Sequence, residues 1–81
     1  MTITVYSKPD CVQCTATYRA LDRHGIAYRV VDVTADEAAL AYVVALGYAQ
    51  VPVVDTGTEH WCGYRPDRIT ALAAELIRSS R

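Results

Sequence analysis

Cys11 and Cys14 stand three residues apart near the start of the chain, and the third cysteine, Cys62, lies far downstream. A Cys-x-x-Cys pair has two main uses: a reversible disulfide in thiol–disulfide exchange, or half of a zinc site. Exchange needs one sulfur that ionises readily and a second close enough to attack the mixed disulfide that the first forms with a substrate. Zinc needs two further ligands. Cys62 and His60 would supply them if they share a strand, because alternate residues then point the same way. An odd cysteine count with two residues so close is a poor framework for a secreted domain, and implies reduced thiols in a reducing, cytoplasmic setting.

The elements around the pair separate these uses. Thr2 to Tyr6 is short, β-branched and aromatic, as a buried strand requires, and Lys8-Pro9-Asp10 ends it. From Cys11 to His24 the apolar positions Cys14, Tyr18 and Leu21 keep helical spacing, and Gly25 supplies a stop. Ala27 to Val33 reads as a second strand, so the first half is a right-handed βαβ unit with the cysteines on the opening turn of its helix. There the unpaired amides and the positive dipole end favour a thiolate. Cys11, at the leading end, is the expected nucleophile, and Cys14, one turn further in, the expected resolving thiol. Lys8 would support the thiolate and Asp10 oppose it. Structural zinc sites carry their ligands on tight knuckles, which a βαβ unit does not provide, so no metal is expected.

Downstream, Thr34 with Glu37 makes a capping-box signature, and Ala38, Ala41, Tyr42 and Ala45 share one face of a second helix that Gly47 closes. Pro52 to Asp55 and Thr58 to Cys62 read as a hairpin turning at Thr56-Gly57. Pro66 opens a last helix with Ile69, Leu72, Ala73 and Leu76 on one side. The order is β-α-β-α-β-β-α, in one domain over residues 1–81, which is enough chain for one modest core.

Eight basic against nine acidic residues give a formal charge of −1, and there is no basic run of the kind that nucleic acid attracts. The start of the chain lacks a basic region followed by an apolar core, and no apolar stretch is long enough to span a membrane. His24 falls where a helix C-terminus welcomes an imidazole, and His60 has no evident acid–base partner beyond Glu59. Tyr6 and Tyr18 fall on the inner faces of strand one and helix one.

Three segments, Tyr6 to Cys14 (YSKPDCVQC), Gln50 to Val54 (QVPVV) and Trp61 to Asp67 (WCGYRPD), carry a resemblance that covers nearly the whole length. With them the chain resembles the glutaredoxin and thioredoxin superfamily, and within it the NrdH-type redoxins, electron donors to class Ib ribonucleotide reductase. Cys-Val-Gln-Cys is the most specific element, since glutathione-dependent glutaredoxins usually carry Cys-Pro-Tyr-Cys. The resemblance implies a thioredoxin-like α/β fold: a four-stranded mixed sheet with three flanking helices, and a cis peptide at Val51-Pro52 facing the cysteines. Val51 would then offer its backbone to an incoming peptide; the lesser alternative is that Pro52 merely opens an edge strand. Trp61 to Asp67 departs from the family's Trp-Ser-Gly-Phe-Arg-Pro at Cys62 and Tyr64.

The resemblance also implies the partners: thioredoxin reductase as donor, carrying electrons from NADPH, and the large subunit of class Ib ribonucleotide reductase as acceptor. The expected redox group is the Cys11–Cys14 disulfide, with no bound cofactor. A monomer is the default expectation, and the resemblance implies a potential near thioredoxin's, roughly −270 mV. Lys8, Val12, Gln13, Val51, Pro52, Trp61, Gly63, Tyr64 and Arg65 would form the partner-binding surface. Trp61 is equally readable as a core residue, and Cys62 as a small buried replacement for serine or an additional redox-active thiol. A glutathione-dependent glutaredoxin remains the alternative, with Lys8, Arg65 and Asp67 as partial means of holding glutathione.

Overall fold

The computed structural model describes residues 2–79. Its elements run β1 (Thr4–Ser7), α1 (Val12–Arg23), β2 (Arg29–Asp32), α2 (Glu37–Ala45), β3 (Val53–Asp55), β4 (His60–Cys62) and α3 (Pro66–Ser79). The four strands form one sheet in the order β2-β1-β3-β4, with β1 parallel to β2 and antiparallel to β3, and β3 antiparallel to β4. This is the expected thioredoxin-like arrangement.

Strand alternation sends side chains to two cores. Val5, Val54 and Trp61 join Leu21 of α1 and Ile69 and Leu72 of α3 on one face. Val53 meets Ala39 and Val43 of α2 on the other. Leu21, Ile69, Val5, Val53 and Val54 are all fully buried, and each such side chain contributes about 1.5–3 kcal/mol. Helix α3 buries Ile69, Leu72 and Ala73 with Leu76 packed alongside, the face its periodicity predicts.

Helix α1 ends as its sequence suggests. His24 is its C-cap, Gly25 takes φ +67°, and the Ile26 N–H returns to the Leu21 carbonyl at 3.0 Å, closing the last turn as the Ile26 side chain enters the core. Each strand is shorter than its apolar run. β2 in particular forms only over Arg29–Asp32, where it pairs with β1 from Thr4↔Arg29 to Ser7↔Asp32.

Two expectations are corrected. Thr34 does not cap α2: its N–H and Oγ1 donate to Asp32 Oδ1 at 2.8 and 2.6 Å, in a turn that holds the Asp32 carboxyl below its usual range. Asp36 caps instead, accepting from the Ala39 N–H at 3.0 Å, since an Asx side chain one residue before the helix reaches its third amide directly. The inward face of α2 is Ala39 and Val43; Ala38, Ala41 and Ala45 are exposed, and Tyr42, on the edge of the helix, sets its ring 5.5 Å from that of Tyr6 and donates its hydroxyl to Asp55. Apart from Glu37 this helix is apolar or aromatic throughout, so periodicity offers no contrast to orient it and packing against Val53 decides. At Pro52 the expected conformation holds and the edge-strand alternative fails. The cis Val51-Pro52 bond is present, and β3 lies between β1 and β4 in the sheet interior.

Candidate functional site

β1 delivers the chain to the site through a buried polar joint. Ser7 is buried, accepts from the Tyr18 hydroxyl of α1, and donates to the Lys8 carbonyl at 3.4 Å, so strand end and helix are fixed to each other. Tyr18 also stacks on Tyr28, with ring centroids 5.8 Å apart. Asp10 then turns the chain with φ +55°, a conformation that aspartate tolerates better than most residues.

Cys11 follows as the N-cap of α1. Its Sγ accepts from the Cys14 N–H at 3.2 Å, and it is bonded to Cys14 Sγ in a disulfide spanning 5.2 Å between Cα atoms. The two sulfurs differ in access. Cys14 is buried, only 1% exposed, and Cys11 is half-exposed at the mouth of a cleft. When the disulfide is reduced, a thiolate at Cys11 keeps the Cys14 amide as donor and faces the positive end of a helix whose first turn contains no acidic residue.

The cleft measures about 410 Å³ and brings together Lys8, Asp10, Cys11, Val12 and Gln13 on one side and Ala49, Gln50 and Val51 on the other. Val12, 85% exposed between the two cysteines, is an apolar group set into solvent. Of the residues named from the sequence, the structure therefore assembles Lys8, Val12, Gln13 and Val51 around Cys11. Pro52 is buried beneath. Gly63 and Tyr64 adjoin through Gln13, whose Oε1 accepts from the Tyr64 N–H at 3.2 Å. Ala49 and Gln50 carry no chemical signature in the sequence and enter the site only through the fold.

Two of the named residues lie elsewhere. Trp61 is 3% exposed within the main core, with the Arg68 guanidinium over its ring at 5.0 Å and Arg68 paired to Glu59 at 3.2 Å. It packs, and it presents no contact surface. Arg65 donates through Nε and Nη2 to the two carboxylate oxygens of Asp67, at 3.1 and 2.9 Å. That pairing holds the Asp67 carboxyl below its ordinary range and raises the Arg65 guanidinium. The two groups offered as a glutathione grip thus engage each other.

The other sulfur and the histidines have their own partners. Cys62 Sγ donates to the Gln50 carbonyl at 3.3 Å, and burial pushes its thiol pKa up. His60 Nδ1 shares a 2.7 Å hydrogen bond with the Tyr48 hydroxyl. Among the described residues no group of three or more His, Cys, Asp or Glu side chains is placed to hold a metal ion. No helix among them is long and apolar enough to cross a membrane.

Comparison with known proteins agrees with this geometry. The glutaredoxin family model matches residues 3–61. The glutaredoxin-like protein NrdH of Escherichia coli K12 is 42% identical over 72 residues, 89% of each chain. The protein of the same name from Lactococcus lactis subsp. cremoris is 30% identical over 71 residues, 88% of this chain and 99% of its own. The solved structure of the Escherichia coli NrdH-redoxin superposes with a TM-score of 0.86, covering 89% of this chain and 95% of that one at 42% identity.

Proposed function

Because this chain belongs to the glutaredoxin family, as an NrdH-type thiol–disulfide exchange carrier, we propose that it passes electrons from thioredoxin reductase to class Ib ribonucleotide reductase through Cys11 and Cys14. The observation that carries the reading is the position of the disulfide: one sulfur is the accessible cap of α1, and the other is buried one turn inside. The Cys11 thiolate attacks an acceptor disulfide, forming a mixed disulfide and releasing one acceptor thiolate, which takes up a proton. Cys14, losing its proton, then attacks Cys11 Sγ. The second acceptor sulfur leaves and is protonated, so two electrons and two protons have moved and the Cys11–Cys14 disulfide is restored. The reductase returns the pair to the dithiol at the expense of NADPH. Val12 and the Val51 backbone would hold the partner chain across the cleft, and Lys8 would add a positive charge at its edge.

The choice of donor is supported by two features. Arg65 and Asp67 satisfy each other, which leaves glutathione's charged groups without that grip. The Escherichia coli relative is described as having a thioredoxin-like activity profile. We propose a cytoplasmic setting, from the odd cysteine count with two so closely spaced, and a single-domain monomer as the default for a chain of this length.

The test is NADPH consumption with a disulfide acceptor, comparing thioredoxin reductase with glutathione plus glutathione reductase. Turnover with thioredoxin reductase alone is expected. Efficient turnover with glutathione would assign the protein to the glutathione-dependent glutaredoxins.

A further inference from the structure

Three hydrogen bonds link the redox turn to the opposite wall of the cleft through a loop that is remote in sequence. Gln13 Oε1, between the two cysteines, accepts from the Tyr64 N–H at 3.2 Å, across 51 residues of chain. The Gly63 N–H donates to the Pro52 carbonyl at 2.8 Å. Cys62 Sγ donates to the Gln50 carbonyl at 3.3 Å. The 62–64 loop is thereby joined at one end to the Cys-x-x-Cys turn and at the other to the segment that exposes Val51. A Cβ at Gly63 would lie 3.4 Å from Gln13 Oε1, and the φ of +90° there suits glycine, so the loop is shaped to bring its backbone against this one side chain.

We infer that Gln13 is a positioning residue: its side-chain oxygen holds the 62–64 loop, and through it the Gln50–Pro52 segment, at a fixed distance from Cys11. Its role is then to keep the two walls of the cleft in register before a partner arrives, so that a docking chain reaches Val51 and Cys11 together. The oxygen is already engaged within the protein, which separates this role from direct contact with the partner. An exposed side chain spanning two loops loses considerable freedom when it is fixed, and here the return is a pre-formed docking surface.

The inference rests on the proposed reductase reaction for its kinetic consequence and on the fold alone for its structural one. Gln13→Met keeps the length and removes the strong acceptor, whereas Gln13→Glu keeps an acceptor oxygen. In the oxidised protein, Tyr64 amide exchange should quicken about five-fold in Gln13→Met and remain protected in Gln13→Glu. With thioredoxin reductase, Gln13→Met should raise KM for the redoxin about five-fold, the change falling on KM rather than kcat. Tyr64 exchange in Gln13→Met equal to the parent's, or quickened exchange with KM unmoved, overturns the inference. A parent protein that the reductase fails to turn over refutes the proposed donor, and the exchange comparison then decides the strut by itself.

Discussion

The N-termini of α1 and α2 carry the same hydrogen bond. In α1 the Cys14 N–H donates to Cys11 Sγ at 3.2 Å, and in α2 the Ala39 N–H donates to Asp36 Oδ1 at 3.0 Å. Both caps sit in extended backbone immediately before the helix. They differ in charge and in surroundings. Asp36 caps at an exposed corner and is followed by Glu37, so two acidic side chains face the positive end of α2. The first turn of α1 has no acid, and its cap is a sulfur that carries no charge while it is bonded to Cys14. A common capping device becomes a redox site when the capping atom is a sulfur, the first helical turn carries no acid and a second sulfur waits one turn inside, even with Asp10 just before the cap.

The most severe way to break the comparison is to keep the cap and remove the chemistry. Cys11→Ser places an oxygen where serine is a favoured N-cap, so NADPH-linked turnover should be abolished. Urea denaturation should find the variant within about 0.5 kcal/mol of the reduced parent. Cys11→Ala loses both, and should be about 1 kcal/mol less stable than Cys11→Ser under the same reducing conditions. Equal stability of the two variants would mean that Cys11 does not cap α1 in the dithiol. Gly63→Ala attacks the enclosure that α1 has and α2 lacks. A β-carbon must be held at φ +90°, in ordinary contact with Gln13 Oε1, and that backbone conformation should cost about 1–2 kcal/mol in the same denaturation experiment.

The corresponding change at α2 is Asp36→Ala. It should remove about 1 kcal/mol, or some 4–8 °C in Tm by circular dichroism, and leave reductase turnover as it was. Asp36→Asn, which keeps an acceptor oxygen, should lie close to the parent. A loss of turnover in Asp36→Ala would show that the two ends are not independent, contrary to the separate cores on which α1 and α2 rest.

What could be read from the sequence follows the same division. At α1 every local signal agrees: a β-branched strand, a turn, a cysteine pair on helical spacing and a glycine stop, so the site and its helix are legible before any fold is known. At α2 the signals conflict. Thr34 and Glu37 satisfy the capping-box spacing, but Asp32 takes the Thr34 hydroxyl, and an almost wholly apolar helix cannot announce which face turns inward. Trp61 was ambiguous because a half-buried contact and a core residue share one composition; only the packing of α3 over β4 resolves it. The contact from Gln13 to Tyr64 was out of reach for a different reason. It joins a side chain to a backbone amide 51 residues away, and a backbone amide has no residue-type signature.

Cys62 completes the comparison, because it is a thiol in the same molecule without a helix end to stabilise its anion. It is half-buried, donates to the Gln50 carbonyl at 3.3 Å, and its pKa is raised by burial. A donor hydrogen bond and desolvation both favour the neutral thiol, so the thiolate fraction at neutral pH is below that of a free cysteine. In the oxidised protein, where Cys62 is the remaining thiol, iodoacetamide labelling followed by mass spectrometry at pH 7.5 should be slower than for a short cysteine peptide. The rate should climb through pH 9 without reaching a plateau. Cys11 in the Cys14→Ser variant should label faster than Cys62 under the same conditions. Equal rates would show that position on α1 gives Cys11 no advantage, and the lesson drawn from the two helix ends would fail at the atom where it matters most. Cys62→Ser preserves the donor to Gln50 and should shift stability by less than about 0.5 kcal/mol.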